Sequence, residues 1–161
     1  MPPLPSAGVL LYRRPAPLAR TGIEVLIGHM GGPFWVRKDA GGWSIPKGEF
    51  EPDEDPLAAA KREFAEELGQ PVPAADLVAL GSVVTSRGKV ISIWAAAGDL
   101  DVTTAVSNTF IVEWPKGSGI RREFPELDRV AWVPLEVART KLVKSQEPFL
   151  DRLIGELSDR L

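Results

Sequence analysis

Glu63, Glu66 and Glu67 crowd into the short stretch Lys61-Arg-Glu-Phe-Ala-Glu-Glu-Leu-Gly69. Wound as a helix at ~100° per residue, the stretch gathers the three carboxylates into a sector of about 100° beside an apolar face made by Ala60, Phe64 and Leu68. Such a set suits a hard divalent cation, which takes carboxylate oxygens and shares its remaining positions with water and phosphate. The competing reading is a solvated acidic face, because exposed like charges at this spacing cost only ~0.2–0.5 kcal/mol per pair. Position favours the metal. Glu66 and Glu67 would lie in the last helical turn, where the helix dipole disfavours an anion by ~0.3–1 kcal/mol and a stabilising sequence would carry Lys or Arg. Local rules broken together mark a functional site.

The elements that must hold these groups are legible in outline. Asp55 can cap a helix that starts at Pro56, runs through good helix formers to Leu68 and stops at Gly69. Apolar runs at 7–12 and 24–27 read as buried strands. Further strands are predicted at 78–86 and 89–97 around an Arg87-Gly88 turn, at 107–114 and at 129–133. The segment from His29 to Gly48 is rich in glycine and aromatics and reads as turns with short extended pieces. Pro115 to Gly119 and Arg121 to Asp128 read as loops. A short helix is expected from Pro134 to Leu142, and the spacing of Phe149, Leu150, Leu153, Ile154, Leu157 and Leu161 predicts an amphipathic C-terminal helix. Strands interleaved with helices imply an α/β sandwich with a mixed sheet covered on both faces.

Composition bounds the rest. A chain of 161 residues has the size of one domain, so residues 1–161 are expected to form a single unit. With 19 basic and 22 acidic side chains the net charge is −3, too mild to indicate nucleic-acid or membrane affinity. The absence of cysteine removes disulfides, thiolate metal sites and thiol nucleophiles. No signal-like or membrane-length apolar run appears, and the expectation is a soluble, cytoplasmic protein, monomeric or homodimeric. The mild average conceals a concentration: residues 49–67 hold eight acidic side chains against Lys61 and Arg62.

Residues 48–70 resemble the Nudix box, G-x5-E-x7-R-E-U-x-E-E-x-G-U with U a bulky apolar residue. Gly48, Glu54, Arg62, Glu63, Glu66, Glu67 and Gly69 occupy all seven fixed positions. At ~7% per residue type, that coincidence would arise in a chain of this length roughly once in a million. Phe64 and Gln70 depart from the aliphatic residues usual at the two U positions. The resemblance implies a Nudix-type α/β/α sandwich with a central carboxylate-bearing helix. It also implies Mg²⁺- or Mn²⁺-dependent hydrolysis of a phosphoanhydride in a nucleoside diphosphate derivative. It assigns Glu63, Glu66, Glu67 and the Gly48 carbonyl to the metal, and Arg62 with Glu54 to the ion pair that orients the glutamates. Family members take their general base from the box or from a later loop. Glu123 and Glu126 are the loop candidates, with Glu126 favoured.

Trp43-Ser-Ile-Pro-Lys-Gly48 followed by Glu51-Pro52 resembles the subgroup that cleaves dinucleoside polyphosphates such as diadenosine tetraphosphate, which would put Lys47 on a phosphate. That subgroup usually carries a tyrosine beyond the box, and here the one tyrosine is Tyr12. The proline typical of ADP-ribose hydrolases is also missing near Val84 to Arg87, so nucleoside triphosphates stay open as substrates. Phe34, Trp35 and Trp43 are candidate stacking partners for a base. His29 is read either as a phosphate contact or as a hydrogen-bonded structural residue. Arg13, Arg37, Lys38, Arg87, Lys89, Arg121 and Arg122 are either further phosphate contacts or surface. A nucleotide-sensing module without turnover is the alternative function. The related isomerase that works on isopentenyl diphosphate is excluded by its need for a cysteine.

Overall fold

The structure is a computed structural model that describes residues 2–14 and 22–159. Leu161, the last residue of the predicted apolar stripe, lies outside the described residues. Strand β1 (Ser6–Arg13) is central and its residues alternate between two cores, as a strand buried on both faces requires. Leu10 points to one core with Val25, Ile27, Phe149, Leu150 and Leu153, whereas Val9 and Leu11 point to the other with Phe64 and Leu68. Helix α1 (Pro56–Leu68) therefore covers one face of the sheet. Helices α2 (Leu135–Lys141) and α3 (Pro148–Asp159) cover the other. The expected α/β/α sandwich is the observed one.

The sheet is mixed. Strand β6 (Val90–Ala97) pairs parallel to β1, and β5 (Leu77–Val84) pairs antiparallel to β6. On the opposite edge, β1 meets β2 (Glu24–Met30) only at Tyr12↔Val25 and Arg13↔Glu24. From there the two strands part. The N-terminal half of β1 takes β4 (Lys47–Glu49), with Ala7 opposite Gly48, while the far half of β2 takes β3 (Trp43–Ser44). Strand β9 (Leu127–Pro134) closes the other side of β2. The split between β1 and β2 opens the sheet where α1 passes, and there the candidate site lies.

Helix α1 has the predicted bounds. The Asp55 carboxylate accepts from the Ala58 N–H at 3.0 Å, and Gly69, at φ 71°, turns the chain out in the left-handed conformation that favours glycine. One predicted loop is a strand: Arg121–Pro125 is β8, paired antiparallel with β7 (Thr109–Glu113) in a two-stranded ribbon of its own. Its exposed, charge-rich sequence carries no apolar alternation, and the backbone partner supplies the order.

Candidate active site

Helix α1 lays Glu63 and Glu67 against β4, and both side chains are buried, each residue 8% exposed. This burial removes the solvated-face reading for these two. Glu66 is different: it sits on the exposed shoulder of the helix, 42% accessible, with its carboxylate on Arg62 at 3.1 Å. Arg62 joins the whole set. Its Nε and Nη2 donate to the two oxygens of Glu54, each at 2.9 Å, while Nη1 donates to Glu63 at 2.9 Å and to Glu66. The bidentate fork fixes the guanidinium plane, and through it the carboxylates of α1. It also raises the Arg62 pKa and lowers that of Glu54.

The Gly48 backbone rests against the Glu63 carboxylate so closely that a Cβ at residue 48 would fall 1.9 Å from Oε2. The neighbouring Lys47 N–H donates to Glu67 at 2.9 Å. A third carboxylate arrives from far along the chain. Glu126, on the turn between β8 and β9, lines the same cavity of about 420 Å³ with Lys47, Gly48, Glu63, Glu67 and Lys89. Two backbone bonds place it: its N–H donates to the Asn108 carbonyl at 2.9 Å, and its carbonyl accepts from Gly31 at 2.9 Å.

The electrostatics follow from burial. Glu67 is pushed up to about 8, chiefly by burial, with the ammonium and N–H of Lys47 acting against the shift. Burial likewise raises Glu63, with Glu66 adding repulsion, and raises Glu126 against the pull of Lys47. Lys47 moves down for the same reason, with Glu67 opposing. Carboxyls crowded in a largely buried cleft are the donor set a divalent cation stabilises. Two further observations fit one. The Gly48 backbone provides a cradle that a side chain would fill, and Ser6 Oγ lines the cleft fully buried with no hydrogen-bond partner among the described residues. Among the described residues no three His, Asp or Glu side chains close into a preformed cage. An open set suits Mg²⁺, which keeps several waters and binds through a few carboxylates plus phosphate.

The aromatic expectations divide. Trp43 is not a stacking platform: it is 4% exposed, its Nε1 donates to Asp39 at 2.9 Å, and Arg129 and Lys141 stand over its ring at 5.1 and 5.3 Å. Pairing of β3 with β2 carries it into the core. Phe34 is 59% exposed, and Trp35 is half-buried beneath the Lys38 ammonium. His29 is structural. It is fully buried, with Nδ1 2.8 Å from Asp128 and Nε2 2.6 Å from the Lys38 carbonyl. Of the scattered basic residues, Lys89 reaches the cleft and bonds Glu49 at 2.6 Å, while Arg13 pairs with Glu24 and Asp99 away from it. Ser6 and Asn108 were not legible as site residues, since nothing local marks them and only the strand pairing brings them in.

The fold and the cleft have the architecture of a Nudix domain, and the comparisons agree. The family model described as NUDIX domain matches residues 3–153, so the chain belongs to the Nudix family. The MutT4 protein of Mycobacterium tuberculosis (strain CDC 1551 / Oshkosh) is 31% identical over 119 residues. That match takes in 74% of this chain but 43% of the relative, so the chain spans less than half of that protein's length. A C. elegans Ap4A hydrolase in a binary complex superposes with a TM-score of 0.67 at 21% identity, covering 96% of this chain and 98% of its own. The NUDIX domain of Shewanella oneidensis NrtR, complexed with ADP ribose, gives 0.65 at 17%, covering 98% and 90%. At these identities the structural likeness shows the fold. No helix among the described residues is long and apolar enough to cross a membrane.

Proposed function

We propose that this chain hydrolyses a phosphoanhydride bond in a nucleotide derivative in the presence of a divalent cation, Mg²⁺ or Mn²⁺. The observation that carries the reading is the buried cleft in which Glu63, Glu67 and Glu126 face Lys47 and Lys89 across the Gly48 backbone. Glu63, Glu67 and the Gly48 carbonyl would hold the ion, with Glu66 at the exposed side. Held there, such an ion would offset the charge of the phosphates and lower the pKa of a bound water. The chain's own groups do the rest. Lys47 and Lys89 neutralise phosphate oxygens and orient the anhydride, while the Arg62–Glu54 fork keeps Glu63 and Glu66 in place. Glu126 accepts the proton of the attacking water, a role suited to a carboxyl that burial makes more basic than an ordinary glutamate.

Dinucleoside polyphosphates such as diadenosine tetraphosphate lead the candidates, on the strength of Pro46-Lys47-Gly48 and Glu51-Pro52, with nucleoside triphosphates next. The test is product analysis with Mg²⁺ or Mn²⁺ over diadenosine tetraphosphate, nucleoside triphosphates, ADP-ribose and capped RNA. Cleavage of an anhydride in one of them, abolished by chelator, is the expected result. Binding without cleavage across the panel would overturn it in favour of a nucleotide-sensing module.

A further inference from the structure

We propose that Phe34 and Trp114 form a corner that stacks the base of a purine nucleotide whose phosphates lie in the Glu63–Glu67–Glu126 cleft. The inference rests on reading that cleft as a nucleotide site and adds to it where the base goes.

The β7–β8 ribbon pairs with no other strand among the described residues. Its root is the cleft itself, because Asn108 and Glu126, which both line the cavity, are joined by the Glu126 N–H to the Asn108 carbonyl. Its body leans on the loop after β2: the Phe110 ring packs on the Gly32 backbone, where a Cβ would come within 2.8 Å. At the far end of β7 the ring of Trp114 meets that of Phe34, with centroids 5.3 Å apart and planes at 78°. Edge-to-face contact usually serves a core. Here Phe34 remains 59% exposed and Trp114 half-exposed, so the pair presents two nearly perpendicular walls to solvent. A flat base can lie on one wall with its edge against the other.

Charge and reach agree with a nucleotide. The loop 33–38 and the segment 109–125 carry five exposed basic side chains, Arg37, Lys38, Lys116, Arg121 and Arg122, against two acidic ones, Glu113 and Glu123. Exposed aromatics among basic groups are the means by which proteins bind bases joined to phosphate. Met30 lines the cleft and Phe34 lies four residues on, so at most ~14 Å of chain separates the corner from the phosphate site. A nucleoside attached through phosphates crosses that span. A purine is favoured over a pyrimidine because its larger π-face covers more of either wall.

The test measures binding of ADP and of inorganic pyrophosphate, each with Mg²⁺, by calorimetry on the full chain. Trp114→Ala and Phe34→Ala should each raise the Kd for ADP about tenfold and leave that for pyrophosphate unchanged. Trp114→Phe, which keeps a stacking face, should recover most of the loss. ADP affinity unchanged in both alanine variants would overturn the proposal. So would equal losses for ADP and pyrophosphate, which would signal a collapsed cleft. A wild-type protein that binds ADP through this corner yet cleaves nothing in the panel would refute the hydrolase reading and leave the corner standing.

Discussion

Glu67→Gln should make the metal-free protein more stable while destroying its activity. The wild-type carboxyl is 8% exposed and its pKa stands at about 8, against 4.5 for an ordinary glutamate. Below pH ~4.5 the group is protonated in the folded and the unfolded chain alike, and its ionisation leaves the balance untouched. As the pH rises from there towards 8, the unfolded chain ionises and the folded one resists, so stability falls by ~1.4 kcal/mol per pH unit and levels off above the folded pKa. At pH 7 the deficit is about 3 kcal/mol, the opposing pull of Lys47 being already contained in the pKa of about 8. Glutamine keeps an acceptor for the Lys47 N–H and carries no charge. In EDTA the variant should therefore gain ~1–3 kcal/mol at pH 7–8, on the order of 5 °C in Tm for a chain of this size, and nothing at pH 4. Mn²⁺ or Mg²⁺ should reverse the ranking, because an ion that binds the folded wild type stabilises it by mass action. Thermal melts across pH 4–9, with and without metal, give the comparison. A variant that melts at or below the wild type in EDTA at pH 8 would show that the buried Glu67 carboxyl carries no such penalty.

Three other perturbations probe the same cleft. Arg62→Lys removes the fork to Glu54 and should lower activity or metal affinity about 10–100-fold with little change in the melting curve, as read by steady-state kinetics with a Mn²⁺ titration. Gly48→Ala inserts a methyl group 1.9 Å from Glu63 Oε2, so calorimetry should show weakened Mn²⁺ binding, and urea unfolding a loss of about 1–3 kcal/mol. Ser6→Ala deletes a buried hydroxyl that has no partner among the described residues. Urea unfolding in EDTA should find it neutral or stabilising by about 1 kcal/mol, and a clear loss would mean that the hydroxyl is hydrogen-bonded.

What the sequence disclosed is what local chemistry decides. Helix α1 was legible to the residue because Asp55, Pro56 and Gly69 set its ends without help from the rest of the chain. The Arg62–Glu54 pair was implied by the resemblance to the Nudix box, and the structure sets those side chains 2.9 Å apart. Burial is a property of the whole fold, which local signals do not report. Trp43 sits beside Gly41-Gly42 in sequence and suggests an open loop, yet its pairing with His29 across β2 and β3 encloses it. Strand β8 shows no alternation because both faces of the ribbon are largely wet. Glu126 could only be nominated, since no pattern along the chain reports that Asn108 and Gly31 hold it beside Glu67.

The bond between Asn108 and Glu126 at the foot of the ribbon has a wider consequence. It closes residues 109–125 into a unit whose two ends are fixed beside each other, so the cleft is largely indifferent to what lies between them. Doubling the length of a flexible insertion costs only ~0.6 kcal/mol in closure entropy. Evolution, or an engineer, can therefore lengthen, shorten or exchange the ribbon and alter which molecules are admitted, while the carboxylate at its foot keeps its station.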